Sequence, residues 1–112
     1  MINHDKILEL VENELAEAQS NWPAWHSTHE GYAVTKEEYE ELETELKAFN
    51  KKFKNLWEMT KQNMDEGLES IVFGMKEDSI KIIGEAIQLA AMVQRYEIDI
   101  LAKTNNLFKT QG

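Results

Sequence analysis

The chain has 112 residues, 42% of them hydrophobic and 29% charged, as expected for one globular domain with one core. Lys and Arg total 12 against 21 Asp and Glu, a net charge of -9, which excludes the basic footprint that sequence-independent nucleic-acid binding requires. Zero cysteines exclude disulfides and thiolate metal sites and fit a reducing compartment.

The start, MINHDKILEL, lacks the basic n-region and apolar run of a signal peptide. No apolar run nears the ~20 residues of a membrane span, so no membrane association and a cytoplasmic location are expected. One proline and five glycines leave little material for turns. The predicted fold class is all-α: a single domain over residues 1–112, forming a bundle of about four helices with a long C-terminal one.

In chain order, the first helix is predicted from about Asp5 to Ser20, where Leu8, Val11, Leu15 and Ala18 recur at helical spacing beside Ile7. Pro23 then stops the helix, and Trp22 and Trp25 are expected to pack over the bundle end. Two capping boxes follow, at Ser27–Glu30 and Thr35–Glu38, and either can start helix two. From Tyr39 the apolar stripe continues through Leu42, Leu46, Phe49, Phe53 and Leu56 or Trp57, implying one helix to about Lys61. A shorter helix is expected on Leu68, Ile71, Val72 and Met75, and Asp78 or Ser79 is expected to open the last long helix, ending near Lys103. The remaining tail, TNNLFKTQG, is expected to fray. The last helix is apolar over most of its circumference. Ile83, Ile87, Ala90 and Leu101 share one face, and Ile82, Ala86, Leu89, Val93 and Ile100 share another. One protomer has few helices with which to cover both, so a homo-oligomer, dimer or tetramer, is expected.

Seven glutamates fall between His29 and Lys47. With Leu42 as the centre of the apolar face and 100° per residue, Glu38 lies at about -40°, Glu45 at about -60° and Glu41 at about -100°, whereas Glu37, Glu40 and Glu43 lie well off it. A carboxylate inside the apolar arc is costly unless paired, hydrogen-bonded or bound to a cation. Glu38 and Glu41, one turn apart, can converge on one hard divalent cation. Glu85 and Gln88 repeat the same spacing on the last helix. Lys81 or Arg95 can equally neutralise these acids. Met64, Met75 and Met92 read as packing residues, and no glycine-rich phosphate loop is present.

The strings HEGYAVTKEEYEEL and EAIQLAAMVQRY resemble small phage and bacterial proteins related to MazG, within the all-α nucleoside triphosphate pyrophosphohydrolase superfamily. The resemblance is clearest over residues 29–47 and 84–96 and weak over the first twenty residues and the middle helix. It implies an oligomeric helical bundle that cuts a nucleoside triphosphate to the monophosphate and pyrophosphate. It also implies an ExxE pair and a later ExxD pair that together hold Mg²⁺ (or Mn²⁺). The first pair falls on Glu38 and Glu41, with Glu41 or Glu38 as the catalytic carboxylate, and the second on Glu85 and Gln88. Gln88 departs from the pattern, leaving three anionic ligands where the family has four, and the segment between the pairs is longer than in compact members. His29, at a helix start where backbone N–H groups favour anions, and Arg95 are the candidate contacts to a nucleotide ligand; a capping or core role is the other reading of His29. Two rival readings stand beside this one. The chain is either a non-catalytic phage protein that sequesters a nucleotide or binds a host protein, or a structural helical oligomer in which Glu38 pairs with a base.

Overall fold

The computed structural model describes residues 2–102, and these form three long helices with no strand among them: α1 (His4–Asn21), α2 (Thr28–Lys61) and α3 (Leu68–Tyr96), the last continued by a π-helical turn over Glu97–Leu101. The expected end near Lys103 and the expected fraying of the tail lie outside the described residues. No helix among those described is long and apolar enough to cross a membrane.

Each boundary has a local cause. Asn3 caps α1, its side-chain oxygen accepting from Asp5 N–H at 2.8 Å. At the other end Trp22 turns to extended backbone, the conformation that a following proline imposes. Of the two possible starts for helix two, the first is used: Ser27 Oγ accepts from Glu30 N–H at 3.1 Å, and Glu30 Oε2 reaches back to accept from His26 N–H at 2.9 Å. Thr35 lies inside the helix. Between α2 and α3 the chain reverses through Asn63 (φ 54°) and Gly67 (φ 91°), the latter in the left-handed region where glycine avoids a Cβ clash.

The expected break near Asp78 does not occur, so the bundle has three long helices rather than about four. Two residues at or near the expected break, Asp78 and Gly74, serve the contact with α2 instead. Asp78 is buried and accepts from Lys52 Nζ at 2.7 Å. One turn earlier, Gly74 leaves room for the Lys52 stem, whose Cε would lie 2.9 Å from a Cβ at that position. Ser79 Oγ bonds back to Lys76 C=O at 2.8 Å and caps nothing.

Contacts between Gly31 and Tyr96, Glu38 and Gln88, and Lys52 and Asp78 show α2 and α3 running antiparallel. Helix α1 packs on α3. At 18 residues against 29, it covers only the end of α3 nearest the π-helical turn. The core sits there: Val11 and Leu15 of α1, Trp25 of the connecting loop, and Ala91, Met92 and Ile100. The far half of the hairpin is two helices thick, which accounts for a 68 × 28 × 26 Å shape. Of the two tryptophans expected to cover the bundle end, only Trp25 does so, at 3% exposure; Trp22 is 68% exposed.

Gly31 marks the tightest approach. A Cβ there would sit 2.8 Å from two ring carbons of Tyr96 and 3.2 Å from the Trp25 ring, whereas one at Gly84 would meet nothing within 4 Å. Gly31→Ala is therefore expected to destabilise by about 1–3 kcal/mol through overpacking. Gly84→Ala is expected to gain up to about 1 kcal/mol from helix propensity alone. Urea unfolding of the two variants side by side checks this, and a stabilised Gly31→Ala would contradict the packing described.

Candidate metal centre

Three of the glutamates singled out above meet between α2 and α3. Glu38, Glu41 and Glu85 each offer a carboxylate oxygen within 4.8 Å of the others. Helical spacing places the first two one turn apart on α2, and the antiparallel register of α3 delivers Glu85 opposite them. Glu38 and Glu85 are half-buried and Glu41 is exposed at the edge. Of the glutamates expected in solvent, Glu37 and Glu40 are exposed and Glu43 is half-buried; none of them joins the cluster.

Gln88 completes the group. With its amide turned so that Nε2 faces the carboxylates, it donates to Glu85 Oε2 and to Glu38 Oε2, each at 3.2 Å. Turning the amide by half a revolution puts its oxygen in the same place, so Gln88 can present either a donor or a hard ligand.

The electrostatics follow from crowding without a counter-charge. Burial raises the Glu38 carboxyl from 4.5 to about 7, and the charges of Glu41, Glu85 and Glu37 together with a hydrogen bond to Glu41 push the same way. Glu85 is also raised, first by burial and then by Glu41. Neither expected base neutralises the cluster: the ion pairs among the described residues join Lys36 to Glu40, Lys52 to Asp78, Lys61 to Glu58 and Arg95 to Asp99. The cluster can therefore hold a proton between carboxylates, or a cation among them.

A cavity of about 650 Å³ opens beside Glu38 and Gln88 and runs to Trp22, Pro23 and Trp25, within the range that accommodates small ligands. Glu14, Glu17, Glu30 and Glu37 also line it. Arg95 forms part of its wall, but most of its donors are engaged: Nε to Asp99 Oδ2 at 3.0 Å, Nη1 to Ala18 C=O at 3.4 Å, and Nη2 to Trp22 and Pro23 C=O at 2.9 and 2.7 Å. His29 is exposed on the first turn of α2 and is not among the lining residues; its neighbour Glu30 is.

Sequence reasoning missed Asp99. It is buried, accepts from the Trp25 N–H at 3.0 Å as well as from Arg95, and so ties the loop after α1 to the end of α3. Its spacing of four from Arg95 was the available signal. No family model, curated protein or solved structure matches the chain.

Proposed function

We propose that this chain binds a nucleotide through Mg²⁺ or Mn²⁺ in the manner of the MazG-like pyrophosphohydrolases, cleaving the α–β linkage of a nucleoside triphosphate to leave the monophosphate and pyrophosphate. The observation that carries the reading is the convergence of Glu38, Glu41 and Glu85 from two helices, with no basic side chain paired to them among the described residues. The donor set fits the ion: three carboxylates and one amide are all hard oxygen ligands, the kind Mg²⁺ and Mn²⁺ prefer. Glu38, Glu41, Glu85 and Gln88 would hold it, and the bound ion would supply neutralisation of phosphate charge. Glu41, the exposed member, would orient or deprotonate water. The adjoining cavity would receive the rest of the nucleotide, against walls already rich in carboxylates.

Those walls and the uncharged Gln88 favour a second reading, in which the same site binds a nucleotide or a host protein without turnover. Product analysis over a panel of NTPs and dNTPs with Mg²⁺ or Mn²⁺ separates the two. Pyrophosphate release abolished by Glu38→Gln and by Glu85→Gln supports catalysis. Calorimetric binding of Mn²⁺ and nucleotide without release supports sequestration, and the absence of both signals sinks catalysis and sequestration alike and leaves host-protein binding. Gln88→Asp supplies the missing charge and is expected to tighten Mn²⁺ binding on the order of tenfold. Asp is a methylene shorter than Gln, so Gln88→Glu is the companion variant. Unchanged affinity in both would remove Gln88 from the ligand set.

Self-association as a dimer or tetramer belongs to the same reading. Ile83 and Val93 stand exposed on α3, with Ala86 and Ala90 exposed between them and Leu8 of α1 beside them, a face that a second protomer would cover.

A further inference from the structure

Helix α2 carries a second apolar seam, on a side that neither α1 nor α3 covers. Tyr32, Tyr39, Leu46 and Phe53 follow one another at seven-residue spacing, and Trp57 continues the line one turn on. All five fall within an arc of about 60° on a straight helix. Their exposure runs from 47% at Leu46 to 66% at Tyr32. The neighbouring positions Leu42, Phe49 and Leu56 are half-buried, so the seam is additional to the face that forms the hairpin. Single exposed apolar residues are ordinary, but four in a row at heptad spacing, with a fifth one turn on, form the kind of stripe along which a helix pairs with another.

We propose that this seam pairs α2, antiparallel, with the α2 of a second copy of this chain, about a two-fold axis near Leu46. Two features select that occupant. The middle of the seam maps onto itself under such an axis: Tyr39 and Phe53 each lie seven residues from Leu46, so each would meet the other's counterpart, as an isologous contact requires, and Tyr32 would lie within about a turn of the second copy's Trp57. The charge along the helix is also divided at the same point. Thr28–Glu45 holds seven glutamates and one lysine, and Leu46–Lys61 holds five lysines and one glutamate. An antiparallel pair lays the acidic half of each helix against the basic half of the other, with Glu40 near Lys54 and Lys36 near Glu58 of the second copy. A parallel pair would lay acid on acid. Because these charges are exposed, the association weakens as salt rises. The seam involves none of the metal ligands, and it lies on a different helix from the α3 face described above.

The absence of cysteine makes the test direct, because an introduced thiol has no partner within its own chain. Under mild oxidation of the full chain, Leu46→Cys is expected to give a covalent dimer. Tyr39→Cys and Phe53→Cys are each expected to stay uncrosslinked alone, since about 21 Å of helix would separate the thiols, and to cross-link when mixed. Cross-linking of Tyr39→Cys alone would show a parallel pair, and no cross-link in any combination would assign the seam to another partner; either result overturns the proposal. A charge exchange provides an independent check, with circular dichroism confirming that each variant folds. Glu40→Lys and Lys54→Glu are each expected to weaken association several-fold in sedimentation, and the double variant to restore it; failure of that rescue would also overturn the antiparallel pairing. Ala90→Glu, on the α3 face, is expected to leave the Leu46→Cys cross-link intact, so loss of one interface is distinguishable from loss of the other.

Discussion

Truncating Arg95 to Ala is expected to cost about 3–5 kcal/mol of folding stability, the penalty for leaving a buried charge without its partner. Arg95 is 2% exposed and joins three parts of the chain to α3 through one guanidinium: α1 at Ala18, the loop at Trp22 and Pro23, and the π-helical turn at Asp99. Its guanidinium carbon also lies 5.3 Å from the centre of the Trp25 ring. Without it, Asp99 keeps only the Trp25 N–H, and three carbonyls lose a donor. Asp99→Asn is expected to cost less, about 1–3 kcal/mol, because an amide oxygen can still accept from Arg95 and Trp25. Thermal unfolding of both variants at one protein concentration checks the order. A loss below about 1 kcal/mol for Arg95→Ala would mean that the guanidinium is free to serve a ligand rather than to hold the loop.

The same residue shows where a sequence stops being legible. Arg95 reads from its neighbours as a contact to a nucleotide ligand, since it sits two turns beyond the ExxQ pair. What claims its donors is a set of backbone carbonyls more than seventy residues away, which no local pattern announces. The four-residue spacing of Arg95 and Asp99 was visible, but the π-helical turn that buries Asp99 beside it was not. The helical class and the end of α2 near Lys61 followed from periodicity, and capping narrowed its start to two positions, all of them local signals. The division of α3 into two helices failed because Gly74 and Asp78 are local breakers put to tertiary use, one admitting the Lys52 stem and the other pairing with its charge. Glu38 was legible for a different reason. A helical wheel needs only the direction of the apolar face, and that direction was fixed by Leu42, Phe49 and Phe53 before any partner was known. Phe53 itself proves to be exposed, so the wheel was tilted toward the outer seam of α2, yet Glu38 stays on the side that meets α3.

Glu38→Gln is expected to raise the stability of the metal-free protein at neutral pH while removing its response to divalent cations. The folded-state carboxyl titrates at about 7 against 4.5 for the ordinary group, chiefly because of burial and then because of Glu41 and Glu85. Between those two values the unfolded chain ionises first and binds fewer protons than the folded one. Stability therefore falls as pH rises from 4.5 to about 7 and levels off above. Below 4.5 both states are protonated and the penalty is absent. An amide at this position stays neutral throughout and can donate to Glu41 as the protonated acid does. The gain above pH 7 is expected to be about 2 kcal/mol once solvent screening at this half-exposed side chain is allowed for, or on the order of 10 °C in melting temperature. A cation reverses the balance in the wild type: binding only the folded state, it adds about 2.7 kcal/mol at a hundredfold excess over its Kd, and it does so best where Glu38 is already ionised. Mg²⁺ or Mn²⁺ should thus lift the wild-type melting temperature more at pH 8 than at pH 6, and leave Glu38→Gln nearly flat at both. Glu43→Gln, outside the cluster, should behave as the wild type in every arm. If the two variants respond alike, the three carboxylates are a solvated surface that happens to be crowded, and neither the proton nor the cation is special to them.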